Sequence, residues 1–402
     1  MACIIKVPSD NSKGIITFTT VERDNIILTN QSVIKKIHFL KKNWLIGIHH
    51  NWHDFNFRFN NIFDFHFAGK TDLIEENNKK FLTSDFDCCN FIPDYFKFNN
   101  KNKTWDLLFV GRPAYFKRLD KFYDLVRELY DKKVYIKVLC IVWKSKKKLL
   151  KDFYEFEDFY KVYLKRFTNK ERNFFNLISL DNDKPFTLNK LSKYYKKSRV
   201  YIHTSEIERR SRTTAYALKG GMPVVGMDSI ASIANNKYKK EPFIFIAKKD
   251  KDFLKLTLKA IKFSKSKLYQ KKKMIPSMEN FNYKKNEKIL IKFFEKIEKK
   301  RYKKKDLRLF NLKKLDYRLG QSYIYKNQNW NIDSILKFMK FANNRELIQI
   351  CKYEIPEKKM EKKRKFYTKQ SKSVSPIRTA SRLFQEFKVI IKWFYFGLLK
   401  HR

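Results

Sequence analysis

Through the first hundred residues, apolar positions come in short runs broken by polar loops rich in Asn. This pattern predicts strands at 15–20, 26–29 and 44–48 and a helix at 32–40. From Trp105 the pattern changes. Residues 106–110 read DLLFV and close on Gly111, as expected of a strand buried on both faces. Leu119, Phe122, Tyr123, Val126, Leu129 and Tyr130 then recur at helical intervals and share one face. Further strands are predicted at 134–142, 176–180, 199–203, 222–226 and 243–247, with helices at 188–196 and through Ala215 to Leu218. That last helix meets Gly220-Gly221 and then Pro223, a strong stop signal. Strands alternating with helices over 104–275 predict a parallel, doubly wound sheet. Beyond residue 280 the spacing is helical: Ile289, Phe293, Phe294 and Ile297 share a face, and 335–342 reads as another helix. Residues 353–382 read as a basic linker, and Phe384, Phe387, Ile391, Phe394 and Leu398 line one side of a closing amphipathic helix.

Composition adds boundaries. A chain of 402 residues is long enough for two domains, and 43% hydrophobic residues can fill their cores. No run approaches the roughly 18 apolar residues of a membrane-spanning helix. The opening MACIIKVPSDN has no basic stretch leading into an apolar one, so no secretory signal is expected. Five cysteines without a CxxC pair argue against a disulfide framework or a structural zinc, and fit a reducing, cytoplasmic setting.

The net charge of +49 suggests an anionic partner, yet the abundance of Lys, Asn, Ile, Phe and Tyr beside only 9 Gly and 9 Pro also fits codon drift. Distribution says more than the total: residues 301–402 carry +19, the remaining 300 carry +30.

With glycine so scarce, its positions carry information. Gly111 closes the first buried strand, and Gly220, Gly221 and Gly226 share one turn–strand unit. In a parallel sheet, ligands sit beyond the carboxyl ends of the strands. Arg112 stands at such an end, with Lys117 five residues on, near the start of a helix. A guanidinium and an ammonium beside a helix N-terminus can hold a pyrophosphate. Two basic residues in so basic a chain also fit chance. A second strand-end cluster, HTSEIERRSRTT at 203–214, brings hydroxyls, carboxylates and arginines together. It fits either a ligand loop or a polar loop capping a helix. His49, His50 and His53 fit an aromatic loop filler, a reaction-centre histidine or, least well, a metal site.

Taken in order, these segments resemble the donor domain of glycosyltransferase family 4, the retaining GT-B enzymes. FVGRPAYFKRLD at 109–120 is similar to the family's strand–Gly-Arg–Lys opening. YYKKSRVYIHTSEIE at 194–208 looks like its helix–strand–Ser-x-x-Glu segment, and ALKGGMPVV at 217–225 like its Glu-Ala-x-x-x-Gly-x-Pro-Val-Val stretch. The likeness covers roughly 104–300. It implies an α/β protein of GT-B type: a reduced N-terminal acceptor-side α/β domain (1–103), a Rossmann-like nucleotide-sugar domain (104–280), crossover and accessory helices (281–350), and a basic linker with a terminal helix (351–402).

The resemblance assigns Arg112 and Lys117 to the donor diphosphate and Glu208 to the transferred sugar, with Ser205, Arg209, Arg212, Thr213 and Tyr216 around the donor. His49 or His50 is expected to face the reaction centre. Tyr216 stands where the family has its second Glu, so the ribose contact is vacant, and Arg209 replaces a Gly. A Gly-rich loop after the first strand is missing, with only residues 9–14 in its place.

The expected function is metal-independent transfer of a sugar, with retention, from a nucleotide-diphosphate sugar to a glycan or lipid-linked acceptor in polysaccharide biosynthesis, with no cofactor besides the co-substrate. The expected location is the cytoplasm, peripheral on the inner face of a membrane through residues 384–402. The alternatives are a catalytically silent GT-B relative that binds glycan or nucleotide as a scaffold and, less favoured, a nucleic-acid-binding protein.

Overall fold

The structure, a computed structural model, describes residues 3–50, 59–67, 81–84, 86, 88–99, 102–113, 117–144, 159–181, 186–205, 211–227, 243–271, 281–310, 332–342 and 347. Residues 1–352 form one compact unit; a second, 353–402, lies outside the described residues, and with it the basic linker and closing helix expected from the sequence.

Five strands build the first sheet: β1 (Cys3–Lys6), β2 (Gly14–Thr19), β3 (Trp44–His49), β4 (Phe65–Phe67) and β5 (Thr83–Ser84), in that spatial order. Only β1 runs antiparallel. Helix α1 (Gln31–Leu40) links β2 to β3; Asn30 caps it by accepting from the Ser32 and Val33 N–H groups. Of residues 26–29, expected as a strand, Ile26 and Ile27 instead close a helical segment at 20–27 and 28–29 form the turn after it. The cause is local: the Thr19 N–H donates to Glu22 Oε2 at 3.0 Å, and this capping contact turns the chain into a helix directly after β2.

The second sheet holds β6 (Trp105–Gly111), β7 (Val138–Lys144), β8 (Phe175–Asp181), β9 (Ser198–His203), β10 (Val224–Met227) and β11 (Ile244–Ala247). Its order is β11-β10-β9-β6-β7-β8 and every pair is parallel, a Rossmann-like arrangement that agrees with the doubly wound expectation. Helices α2 (Leu119–Asp131), α3 (Phe159–Arg166), α4 (Leu188–Lys197), α5 (Arg212–Lys219) and α6 (Asp252–Lys265) accompany it. The strand expected from 134 begins only at Val138. Lys133 takes a positive φ of 58°, and the Val134 N–H closes back on the Leu129 carbonyl to end α2. Gly221, with φ 63°, ends α5 in the same left-handed region, where a side chain would be strained.

One side of this sheet packs Leu107, Phe109, Val138 and Cys140 against Phe122, Tyr123 and Val126 of α2. The other packs Leu108, Val110, Tyr201 and Val224 against α4 and α5. Helix α7 (Tyr283–Glu298) returns to the first sheet, where Leu290 and Phe294 are fully buried with Phe65 and Phe67, the Phe65 and Phe294 rings 5.0 Å apart. On the opposite side, α1 and α8 (Ile332–Phe341) cover Ile16, Ile46 and Ile48.

Candidate functional site

The strand order reverses between β6 and β9. Strands that neighbour each other there send their following helices to opposite faces, so a crevice opens beyond their carboxyl ends. Gly111-Arg112 leaves the end of β6, and Thr204-Ser205 leaves the end of β9. Both clusters singled out in the sequence therefore flank the same crevice.

The two loops are tied together. Thr204 donates its hydroxyl to the Lys117 carbonyl at 2.6 Å, drawing the turn before α2 against the end of β9. Arg112 is exposed, Lys117 half-buried and Ser205 buried. Arg118, with φ 49°, precedes α2 and makes an ion pair with Asp120 at 3.0 Å. It therefore belongs to the helix start rather than to the open crevice.

Ser211 caps α5. A chain of hydroxyls fixes the helix start: Tyr201 donates to Thr213 Oγ1 at 2.7 Å, and Ser211 Oγ lies 2.9 Å from that same oxygen. His203 Nδ1 lies 3.1 Å from Thr214 Oγ1, adding a second link from β9 to α5. Thr213 is thus engaged by its own fold through its hydroxyl, while Arg212 opens the helix, half-buried. Tyr201 and Thr204 were not singled out as individual contacts. Their signal was slight, a hydroxyl in or just after a buried strand. Glu208 and Arg209, expected at the sugar and the donor loop, lie outside the described residues.

Tyr216 is one turn into α5. Its side chain is only 4% exposed and stacks on Phe96, centroids 4.1 Å and planes 6° apart, with Tyr195 edge-on at 6.0 Å. The position expected to face a ribose is filled by a ring packed into the core.

In the first sheet, His49 ends β3, paired in register with Thr19 of β2, and is buried. His50 turns inward: its N–H donates to the Phe67 carbonyl at 2.9 Å, and its Nε2 lies 3.1 Å from His66 Nδ1. One ring must donate and the other accept. His66, unforeseen from the sequence, is boxed by Phe59 at 4.7 Å, Phe81 at 5.6 Å and Phe63 at 6.0 Å. The alternation Phe65-His66-Phe67 could have marked it. His50 is thus part of an aromatic core, and His49 is the member of the pair at the strand end. His53 lies outside the described residues. Among the described residues, no three His, Cys, Asp or Glu side chains gather as metal ligands.

The segment expected in place of a Gly-rich loop lies at the wrong end of the sheet. Because β1 is antiparallel, the turn that follows it sits at the amino ends of β2 and β3. There Lys6, fully buried, donates to Ser12 Oγ at 2.7 Å and the Lys13 carbonyl at 2.9 Å. Asp306 accepts from Ser9 at 2.6 Å and Ser12 at 3.0 Å. A cavity of about 600 Å³ is lined by Phe59, Asn60, Asp64, Phe81 and Leu82, and its Phe59 ring packs against His50 at 5.3 Å.

No family model and no curated protein matches the chain. Among solved structures, it is similar to the pneumococcal O-GlcNAc transferase GtfA in complex with UDP and GlcNAc, at 14% identity and TM-score 0.40, over 65% of this chain and 54% of that one. It is similar at 13% identity and TM-score 0.39 to the Glycosylation Associate Protein (Gap123) complex from Streptococcus agalactiae, over 71% and 53%. The alpha,alpha-trehalose 6-phosphate synthase from Burkholderia multivorans matches at 10% identity and TM-score 0.40, over 63% and 65%. The chain spans about half the length of the first of these.

Proposed function

We propose that this chain is a glycosyltransferase of GT-B type that holds a nucleotide-sugar diphosphate in the β6–β9 crevice and passes the sugar, with retention, to a glycan or lipid-linked acceptor. The observation that carries the reading is the convergence of Arg112, Lys117 and the start of α5 on one topological switch point. A guanidinium offers paired donors to phosphate oxygens, an ammonium a point charge, and the first-turn N–H groups of α5 a partial positive charge. Together they would offset the charge that builds on the departing diphosphate, which needs no bound metal. Glu208 is assigned to the sugar, and His49, at the carboxyl end of β3, to the acceptor side. The reading includes a cytoplasmic role in polysaccharide biosynthesis and peripheral membrane attachment through residues 384–402.

Calorimetry with UDP-, GDP- and ADP-sugars, run beside a short nucleic-acid duplex, tests it. Saturable binding of one sugar nucleotide, with slow hydrolysis or transfer of its sugar, is the expected result. Binding of the duplex alone would overturn it.

One observation favours a second reading, a silent relative that binds without turning over. The ring of Tyr216 is stacked on Phe96 and offers no carboxylate to a ribose. Binding without any hydrolysis or transfer would select this reading.

A further inference from the structure

Helices α1 and α8 pack side by side over the first sheet. Their outward surface combines exposed aromatic rings with lysines. Phe39 of α1 is 51% exposed and Phe341 of α8 is 67% exposed, and the ammonium of Lys340 lies between them, 4.8 Å from one ring centroid and 5.0 Å from the other. Lys42 approaches Phe39 from another side at 5.6 Å. The surrounding face is cationic: Lys35 stands one turn before Phe39 on α1, Lys42 lies in the turn just after that helix, and Lys337 stands one turn before Phe341 on α8, all exposed. Residues 31–43 contain four lysines and no Asp or Glu. Of the four lysines, Lys41 is paired with Asp64 at 3.0 Å.

We propose that this α1–α8 face docks on an anionic lipid bilayer, with the Phe39 and Phe341 rings entering the interface and the lysines meeting the headgroups. Neither half of the pattern suffices alone. Lysines without rings would suit any polyanion, and rings without lysines would suit an apolar partner. Two protruding aromatic rings within a ring of ammonium groups match a surface whose charge lies above its apolar layer. The inference does not depend on the glycosyltransferase reading, and it adds a membrane contact within residues 1–352 to the attachment proposed for residues 384–402.

Flotation of the full chain with phosphatidylcholine vesicles, with and without phosphatidylserine, tests it. The chain is expected to float with phosphatidylserine vesicles and to release as salt is raised. F39A/F341A should lose at least about tenfold in vesicle affinity with an unchanged circular dichroism spectrum, since both rings are exposed. K35Q/K42Q/K340Q keeps the rings and should lose the salt-sensitive part of the binding. Three results would each overturn the proposal. The first is that F39A/F341A floats as well as the wild type, which assigns attachment to another segment. The second is that the full chain does not float, because its own tail or a second copy covers the face. The third is that the variants lose affinity for a single-stranded oligonucleotide but not for vesicles.

Discussion

Tyr216 lies flat on Phe96, and through that contact the helix beside the crevice is anchored to the segment that leads out of the first sheet. A glutamate at 216 would place a carboxylate in this apolar stack. Tyr216→Glu is therefore expected to lower unfolding free energy by more than about 3 kcal/mol, with no gain in sugar-nucleotide affinity. Urea denaturation beside calorimetry checks both. A stable Y216E protein that binds more tightly would show that a ribose can reach this position.

Arg112→Ala and Lys117→Ala are each expected to weaken sugar-nucleotide binding roughly tenfold to hundredfold, the loss of one charge-assisted phosphate contact. The fold should hold, because Arg112 is exposed and Lys117 half-buried. Titration calorimetry on both variants reads the effect, and unchanged affinity in both removes the diphosphate from this crevice.

Arg127 grips Glu171 through two bonds of 2.5 and 2.8 Å, linking α2 to the turn before β8. Its hydrogen bonds hold the Glu171 carboxyl down at about 2, from 4.5, against the opposing pull of burial. A depressed carboxyl stabilises the fold above its unfolded pKa, and that contribution fades as pH falls from 4.5 towards 2. Glu171→Gln should cost about 1.5–3 kcal/mol near neutral pH, and the gap from wild type should narrow across that acid window. Thermal melts along a pH series decide it; a constant gap would refute the assignment.

Lys6 carries the opposite sign. Burial lowers its ammonium to about 8 from 10.5, although Glu298 and Asp306 pull it back up. The unfolded chain then binds more protons between pH 8 and 10.5, so the cost of burying the charge is relieved as pH rises through that window. The stability of wild type relative to Lys6→Met should therefore rise between those two pH values, and urea midpoints would show it. A fall across the window would mean that the Asp306 network holds the charged form more tightly than water does.

Strand β6 was legible because a strand buried on both faces leaves an unbroken apolar run, as 107–110 does, and Gly111 marks where that run stops. The helix at residues 20–27 was not, since Ile26, Ile27 and Leu28 are strand-like residues and the deciding contact is one capping bond from Glu22. Antiparallel β1 was missed because four residues carry too little periodicity. At the site, sequence spacing offered Arg112 and Lys117 as candidates but could not reveal that Tyr216 faces Phe96 or that His50 meets His66. Those partners lie far apart in the chain, and only tertiary packing joins them.

Lys6 bridges to Phe310, the Val7 N–H donates to the Leu309 carbonyl at 3.1 Å, and Ser9 and Ser12 bond Asp306. On the ribosome, the Rossmann-like sheet, whose strands all lie between residues 105 and 247, can close while the chain is still growing. The sheet made first cannot be finished then: its edge strand and its Phe65–Phe67 face must wait for α7 and residues 306–310 to emerge. Strand β1 is thus made long before it gains its last partners, so a chain halted before residue 283 would carry a finished second sheet and a first one still lacking α7 and residues 306–310.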